Sequence, residues 1–157
     1  MLLRTHLILS LALLTITSSC QKNGKDCIYL IPENFEGNIL IIYEQQNGMD
    51  ATYENKNRVY FFDTTGVLKT KFAPNYGMQK NHYFYVDSLG KRSLIKYVIP
   101  SQLRQSDEVV CYNKETGKDF DKKRNVDRHF EIFTIAKEKN IDSIGNKRSL
   151  FMWGKLD

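Results

Sequence analysis

Two Ser-x-x-Lys spacings, Ser88 to Lys91 and Ser93 to Lys96, are the first places in this 157-residue chain where chemistry could reside. On a helix that spacing sets an amine one turn from a hydroxyl and makes a nucleophile with its base. Here the first spacing falls in the turn-like Ser88-Leu89-Gly90. The second falls in the strand-like run Arg92 to Ile99, where residues three apart point to opposite faces. Neither is read as a nucleophile. His82 and His129 stand far apart, each beside aromatic residues, whereas a zinc site needs converging ligands, usually two of them closely spaced. Both are read as isolated histidines. Asn113 to Asp121 gathers oxygen atoms but lacks the carboxylate spacing of a calcium loop, and Lys114 and Lys118 would repel a divalent ion. No Gly-x-Ser-x-Gly and no Gly-x-x-x-x-Gly-Lys-Ser/Thr occurs. The expectation is a protein without catalysis, metal or cofactor.

The basic residues Lys118, Lys122, Lys123, Arg124 and Arg128 fall within eleven residues, interleaved with Asp119, Asp121 and Asp127. Mixed signs at that density describe a solvated loop. Its alternative is a partner surface for anionic lipid, glycan or an acidic protein face. Tyr76, at the tip of Pro74-Asn75-Tyr76-Gly77, is the aromatic best placed to meet a partner, while Phe84 and its face are assigned to the core.

Strands must position these residues. Cys27 to Ile31 is rich in β-branched and aromatic side chains and stops at Pro32. Asn38 to Tyr43 is apolar without alternation, as a strand covered on both faces is. Asn47-Gly48, Thr64-Thr65-Gly66 and Ser88-Leu89-Gly90 each read as a hairpin turn between flanking strands. Glu108 to Tyr112 is a further short strand. Arg128 to Ala136 alternates, with Phe130, Ile132 and Thr134 on one face. Pro100 to Gln105 can hold a helical turn, and Ile141, Ile144, Leu150, Phe151 and Trp153 suggest a short helical segment across an open end of the sheet. The fold class is therefore all-β, a mainly antiparallel β-sandwich of the immunoglobulin or transthyretin kind, with a short C-terminal helical segment.

The N-terminus carries a different message. Arg4 is the one fixed charge ahead of Leu7 to Ile16, an uncharged apolar run of ten residues. A helix crossing a bilayer core needs about 20 apolar residues, so this run reads as the middle of a secretory signal peptide. Ser18-Ser19-Cys20 follows. The segment resembles a bacterial lipoprotein signal over residues 1–20, with Thr17 where that motif usually has a Leu-like residue. The resemblance implies cleavage before Cys20 and lipidation of Cys20, so that two or three acyl chains tether the protein to a membrane. Residues 1–19 are then signal peptide, 20–26 a lipidated tether, and 27–157 a single β-sandwich domain. By resemblance to the enteric sorting rule, the absence of Asp at position 21 favours the outer membrane, facing the periplasm, with surface exposure left open.

Removal of residues 1–19 leaves 138 residues and a net charge of +4, a mild excess spread along the chain. That is unlike the concentrated stripe of a nucleic-acid binder, and no nucleic acid is expected. With Cys20 lipidated, Cys27 and Cys111 remain as a pair. They are either a disulfide, worth about 4.5 kcal/mol for a loop of roughly 85 residues, or two separate buried thiols.

Tyr29-Leu30-Ile31-Pro32-Glu33-Asn34-Phe35-Glu36-Gly37-Asn38-Ile39, with Thr64 to Thr70 and Tyr83 to Asp87, resembles an uncharacterised family of small bacterial envelope domains. The resemblance spans residues 27–95 and extends to Phe130 to Ile144; it implies no activity. Pro32 ends a strand, Phe35 plugs the open end and Gly37 turns the chain into the next strand, so a structural role is assigned to that opening. The expected function is a non-catalytic, lipid-anchored envelope module that binds or assembles with an envelope protein or glycan through residues 73–81 and 113–128. The alternative is an immunity or inhibitor lipoprotein directed against an envelope-acting toxin or lytic enzyme.

Overall fold

The computed structural model describes residues 24–156. The expected signal peptide, Cys20 and the first part of the expected tether lie outside the described residues.

Nine strands follow one another: β1 (Cys27–Pro32), β2 (Gly37–Ile42), β3 (Thr52–Glu54), β4 (Asn57–Phe61), β5 (Val67–Lys69), β6 (Asn81–Val86), β7 (Arg92–Val98), β8 (Val109–Asp121) and β9 (Val126–Lys137). Single turns of 3-10 helix occupy Pro100–Gln102 and Glu138–Asn140, and two helices close the chain, α1 (Ile141–Gly145) and α2 (Arg148–Leu156). The strands form one sheet in the order β3-β4-β1-β6-β7-β8-β9-β2-β5. That sheet folds over on itself. The ring of Tyr29 on β1 meets Phe133 on β9 edge-to-face at 5.4 Å, although three strands separate β1 from β9 in the order. Tyr29, Ile31, Ile39, Ile41, Phe133 and Ile135 fill the space between the two halves and are fully buried.

The all-β class and the C-terminal helical segment stand as expected; the ladders are mixed. β2–β9, β3–β4, β6–β7 and β8–β9 are antiparallel, whereas β1–β4, β1–β6, β2–β5 and β7–β8 are parallel. Three of the four parallel ladders involve β1 or β2. Both are apolar on both faces, and a strand of that kind belongs in the sheet interior, where parallel neighbours reach it by crossing over. Ile39 and Ile41 of β2 face the central core, while Leu40 and Ile42 pack with Ile132, Met152 and Leu156 beneath α2.

Two of the three expected hairpins are therefore crossings. The Asp63 carboxylate accepts hydrogen bonds from the Thr65 amide (2.9 Å) and hydroxyl (2.5 Å), and Gly66 has φ +70° with no room for a Cβ beside the Asn38 carbonyl. This turn carries the chain from β4 in one half to β5 in the other, where β5 joins β2. Asn47-Gly48 likewise makes a tight turn, closed by the Gly48 amide on the Gln45 carbonyl (2.9 Å). It presses Gly48 against the Thr70 backbone instead of pairing β2 with β3. The third turn is a true hairpin, with the Asp87 carboxylate accepting from the Leu89 and Lys91 amides between β6 and β7.

Residues 113–128, expected as a solvated loop, are instead the body and tip of the β8–β9 hairpin. The interleaved charges are cross-strand partners: Asp119 lies opposite Arg128, at 2.6 Å, and Lys118 reaches Asp127 at 3.1 Å. Cys27 and Cys111 are both buried free thiols, so the disulfide alternative gives way to the other. Cys27 Sγ is held by the Lys25 carbonyl and the Asn75 amide, which leaves it engaged away from Cys111.

Candidate functional site

The register of β8 against β9 slips between Tyr112 and Glu115, so that Asn113 and Lys114 face one residue of β9. Asn113 adopts φ +52°, a conformation Asn tolerates better than most residues. Such a bulge re-aims a side chain. Here it turns Lys114 into the core, where its Nζ lies 3.0 Å from the Glu131 carboxylate. Glu131 is 2% exposed and Lys114 11%.

A buried ion pair is tolerated only when its remaining hydrogen-bonding capacity is met. Tyrosines meet it. The Tyr29 hydroxyl donates to Glu131 Oε1 at 2.9 Å, the Tyr43 hydroxyl to Oε2 at 3.3 Å, and Lys114 Nζ donates to the Tyr29 hydroxyl at 2.7 Å. The same ammonium stands 5.0 Å from the Tyr29 ring centroid. Tyr29 is the middle of a stacked row, with Tyr60 at 5.1 Å and Tyr83 at 4.7 Å on the flanking strands. Burial first, and then the Glu131 charge, drive the Tyr29 and Tyr43 hydroxyls far above the ordinary phenol range, so they remain donors.

Tyr43 and Glu131 of this network also line a cleft of about 210 Å³. One wall is Pro74, Asn75 and Tyr76; the other is Thr116, Gly117 and Lys118 on β8; His129, Phe130 and Glu131 lie between them. Gly117 is needed because the Phe130 ring lies across its backbone, 2.6 Å from where a Cβ would be. The Tyr76 hydroxyl is hydrogen-bonded to His129 Nδ1 at 2.7 Å, which ties the tip of the 73–79 segment to β9. The arrangement offers an aromatic wall, a mixed polar rim and a buried charge beneath it, which is the usual makeup of a small binding site.

The structure divides the residues assigned to a partner surface. Tyr76 and Lys118 both line this cleft. Lys122, Lys123 and Arg128 line a separate hollow with Asp119, Phe120, Asp121 and Trp153. Arg128, 14% exposed, is occupied by Asp119 and donates to the Leu156 carbonyl. Arg124 folds back onto the Asp121 carboxylate at 2.6 Å and holds that group below the usual carboxylate range. The basic cluster is thus largely neutralised within the hairpin. His82 is exposed on β6, which does not pair with the β9 strand of His129, and among the described residues no group of three His, Cys, Asp or Glu side chains converges.

Tyr29, Tyr43, Lys114 and Glu131 were not among the residues expected to matter. One signal was present: Glu131 shares strand parity with Phe133 and Ile135, and a charge at core parity needs a buried partner.

A crystal structure described as a "Putative Lipoprotein from Bacillus anthracis" superposes with a TM-score of 0.57 at 22% identity, over 71% of this chain and 70% of that one. The likeness shows a shared fold. A comparison with curated proteins gives no match. The sequence model described as "Family of unknown function (DUF6843)" matches residues 23–144, and the chain belongs to that family.

Proposed function

We propose that the protein is a lipid-anchored envelope protein, held through Cys20, whose domain acts without catalysis as a binding or assembly module. Its binding place is the cleft between Tyr76 and Thr116–Lys118. The observation that carries this reading is convergence. Residues 74–76 and 116–118 are remote in sequence, yet they line one cleft together with Glu131, the buried partner of Lys114. The lipoprotein-like residues 1–20, and the description of a chain with the same fold as a "Putative Lipoprotein", support the anchor. By the same reading the address is the outer membrane facing the periplasm, and the occupant of the cleft is an envelope protein or a glycan.

The test is affinity capture of the acylated protein from solubilised envelope, beside a version beginning at Gln21 and a Tyr76→Ala/Lys118→Glu variant, read by mass spectrometry. One stoichiometric partner that the cleft variant loses supports the reading, and a toxin or lytic enzyme in that place would turn it toward immunity. A partner retained by the cleft variant moves the binding place elsewhere. An intact mass without acyl chains on Cys20 removes the anchor.

A further inference from the structure

The first described residues leave the domain at a defined place. Gly24 donates its amide to the Met78 carbonyl at 2.9 Å, and the Lys25 amide and carbonyl are both held by Asn75. Because β1, β4 and β6 run parallel, with Cys27 level with Arg58 and Asn81, one end of this half of the sheet gathers Gly24–Asp26, the Asn55-Lys56 turn and the 76–80 segment. That end is exposed and amphipathic. Tyr53, Tyr76 and Met78 are each about half exposed or more. Lys25, Lys56 and Lys80 are exposed among them, with the Lys25 ammonium 4.6 Å from the Tyr53 ring centroid. The acids bordering it are engaged, Asp26 by the Lys80 amide and Glu54 by the Arg92 guanidinium.

Four peptide links join Cys20 to Gly24, and covalent geometry limits them to about 14 Å. If Cys20 is acylated, which is the reading proposed above and the one on which this inference rests, this end of the domain cannot stand away from the bilayer. We infer that the tether-exit end is a membrane-docking face: Tyr53 and Met78 enter the headgroup region of an anionic lipid surface, and Lys25, Lys56 and Lys80 sit against its negative charge. Aromatic and thioether side chains ringed by lysines suit that boundary, where the apolar body is buried and the cation stays at the headgroups. The Ser88-Leu89-Gly90 turn follows the other end of β6; Leu89 is 92% exposed, and six strand residues hold the two ends of β6 about 20 Å apart.

The experiment uses the full-length protein, acylated in cells and reconstituted in phosphatidylcholine vesicles containing phosphatidylglycerol and a lipid-borne collisional quencher. A thiol-reactive fluorophore is placed by Met78→Cys or by Leu89→Cys; Cys27 and Cys111 are buried and stay unlabelled. The expected result is about fivefold stronger quenching at 78 than at 89, because a lipid-borne quencher reaches only side chains seated in the boundary region. Lys25→Glu/Lys56→Glu/Lys80→Glu should lower the signal at 78 while the protein stays with the vesicles. Equal quenching at both positions, or more at 89, in protein that remains vesicle-bound overturns the docking face and leaves the anchor standing. Loss of vesicle binding indistinguishable from that of Cys20→Ser overturns the anchor, and the docking face with it.

Discussion

The β8–β9 hairpin carries two sets of opposite charges, and they differ in environment more than in chemistry. Near its base, Lys114 and Glu131 meet in the core among tyrosine hydroxyls. Toward its tip, Lys118 meets Asp127 in solvent, at nearly the same distance. What separates them is one bulge at Asn113-Lys114, which flips the parity of β8 so that a lysine faces inward. In the core, removing one partner strands the other without water. At the tip, water replaces whatever is lost. The cleft is lined by Glu131 of the first set and by Lys118 of the second, so the place proposed to bind joins a position that tolerates little change of charge to one that tolerates it.

The strongest way to sharpen that contrast is Glu131→Ala, which leaves Lys114 buried and unpaired. A loss of about 3–5 kcal/mol in urea-unfolding free energy is expected; a loss no larger than that of a surface substitution would erase the distinction between the two sets. Adding Lys114→Met to Glu131→Leu removes both charges, and the double variant should recover about 2 kcal/mol relative to the sum of the singles, since a pair replaced by apolar groups costs far less than a pair broken. Additive losses would mean the two side chains act separately. Next in size, Gly66→Ala should cost at least about 1 kcal/mol, because L side chains are strained at its positive φ and the Asn38 carbonyl blocks the Cβ. At the other extreme, Lys118→Ala should change stability by no more than about 0.5 kcal/mol, and its effect should appear in binding instead.

Much of this was legible in the residues, for reasons that also explain the gaps. β2 announced itself as a doubly covered strand through an unbroken apolar run, β1 through its β-branched and aromatic residues, and β6–β7 through Ser88-Leu89-Gly90, because each of those signals is local. The parallel pairing of β4 with β1 and of β5 with β2 was not legible, because Thr64-Thr65-Gly66 has the same composition whether the chain turns back or crosses between layers. The partner surface was half legible. Tyr76 and Lys118 were singled out, and both line one cleft. Lys114 was read only as a cation that would repel calcium, because nothing in Tyr112-Asn113-Lys114-Glu115 betrays a bulge. Glu131 could have been found, since it interrupts the core-facing parity of β9.

The cysteines supply an independent check on the core. Burial raises the Cys27 thiol and raises Cys111 further, so the reactive thiolate is scarce at pH 8. The version beginning at Gln21 should show no thiol reacting with a chromogenic disulfide in the native state and two after denaturation without reductant. None after denaturation would mean that the two are bridged.

The central claim is that the cleft, not the charged hairpin tip, is the contact surface. It is tested most directly by a photo-crosslinking amino acid placed at Thr116 on the cleft wall or at Lys122 at the tip, in the acylated protein inside living cells. A discrete adduct from position 116 and none from position 122 is the expected result. An adduct from 122 alone, or from neither position, would contradict it.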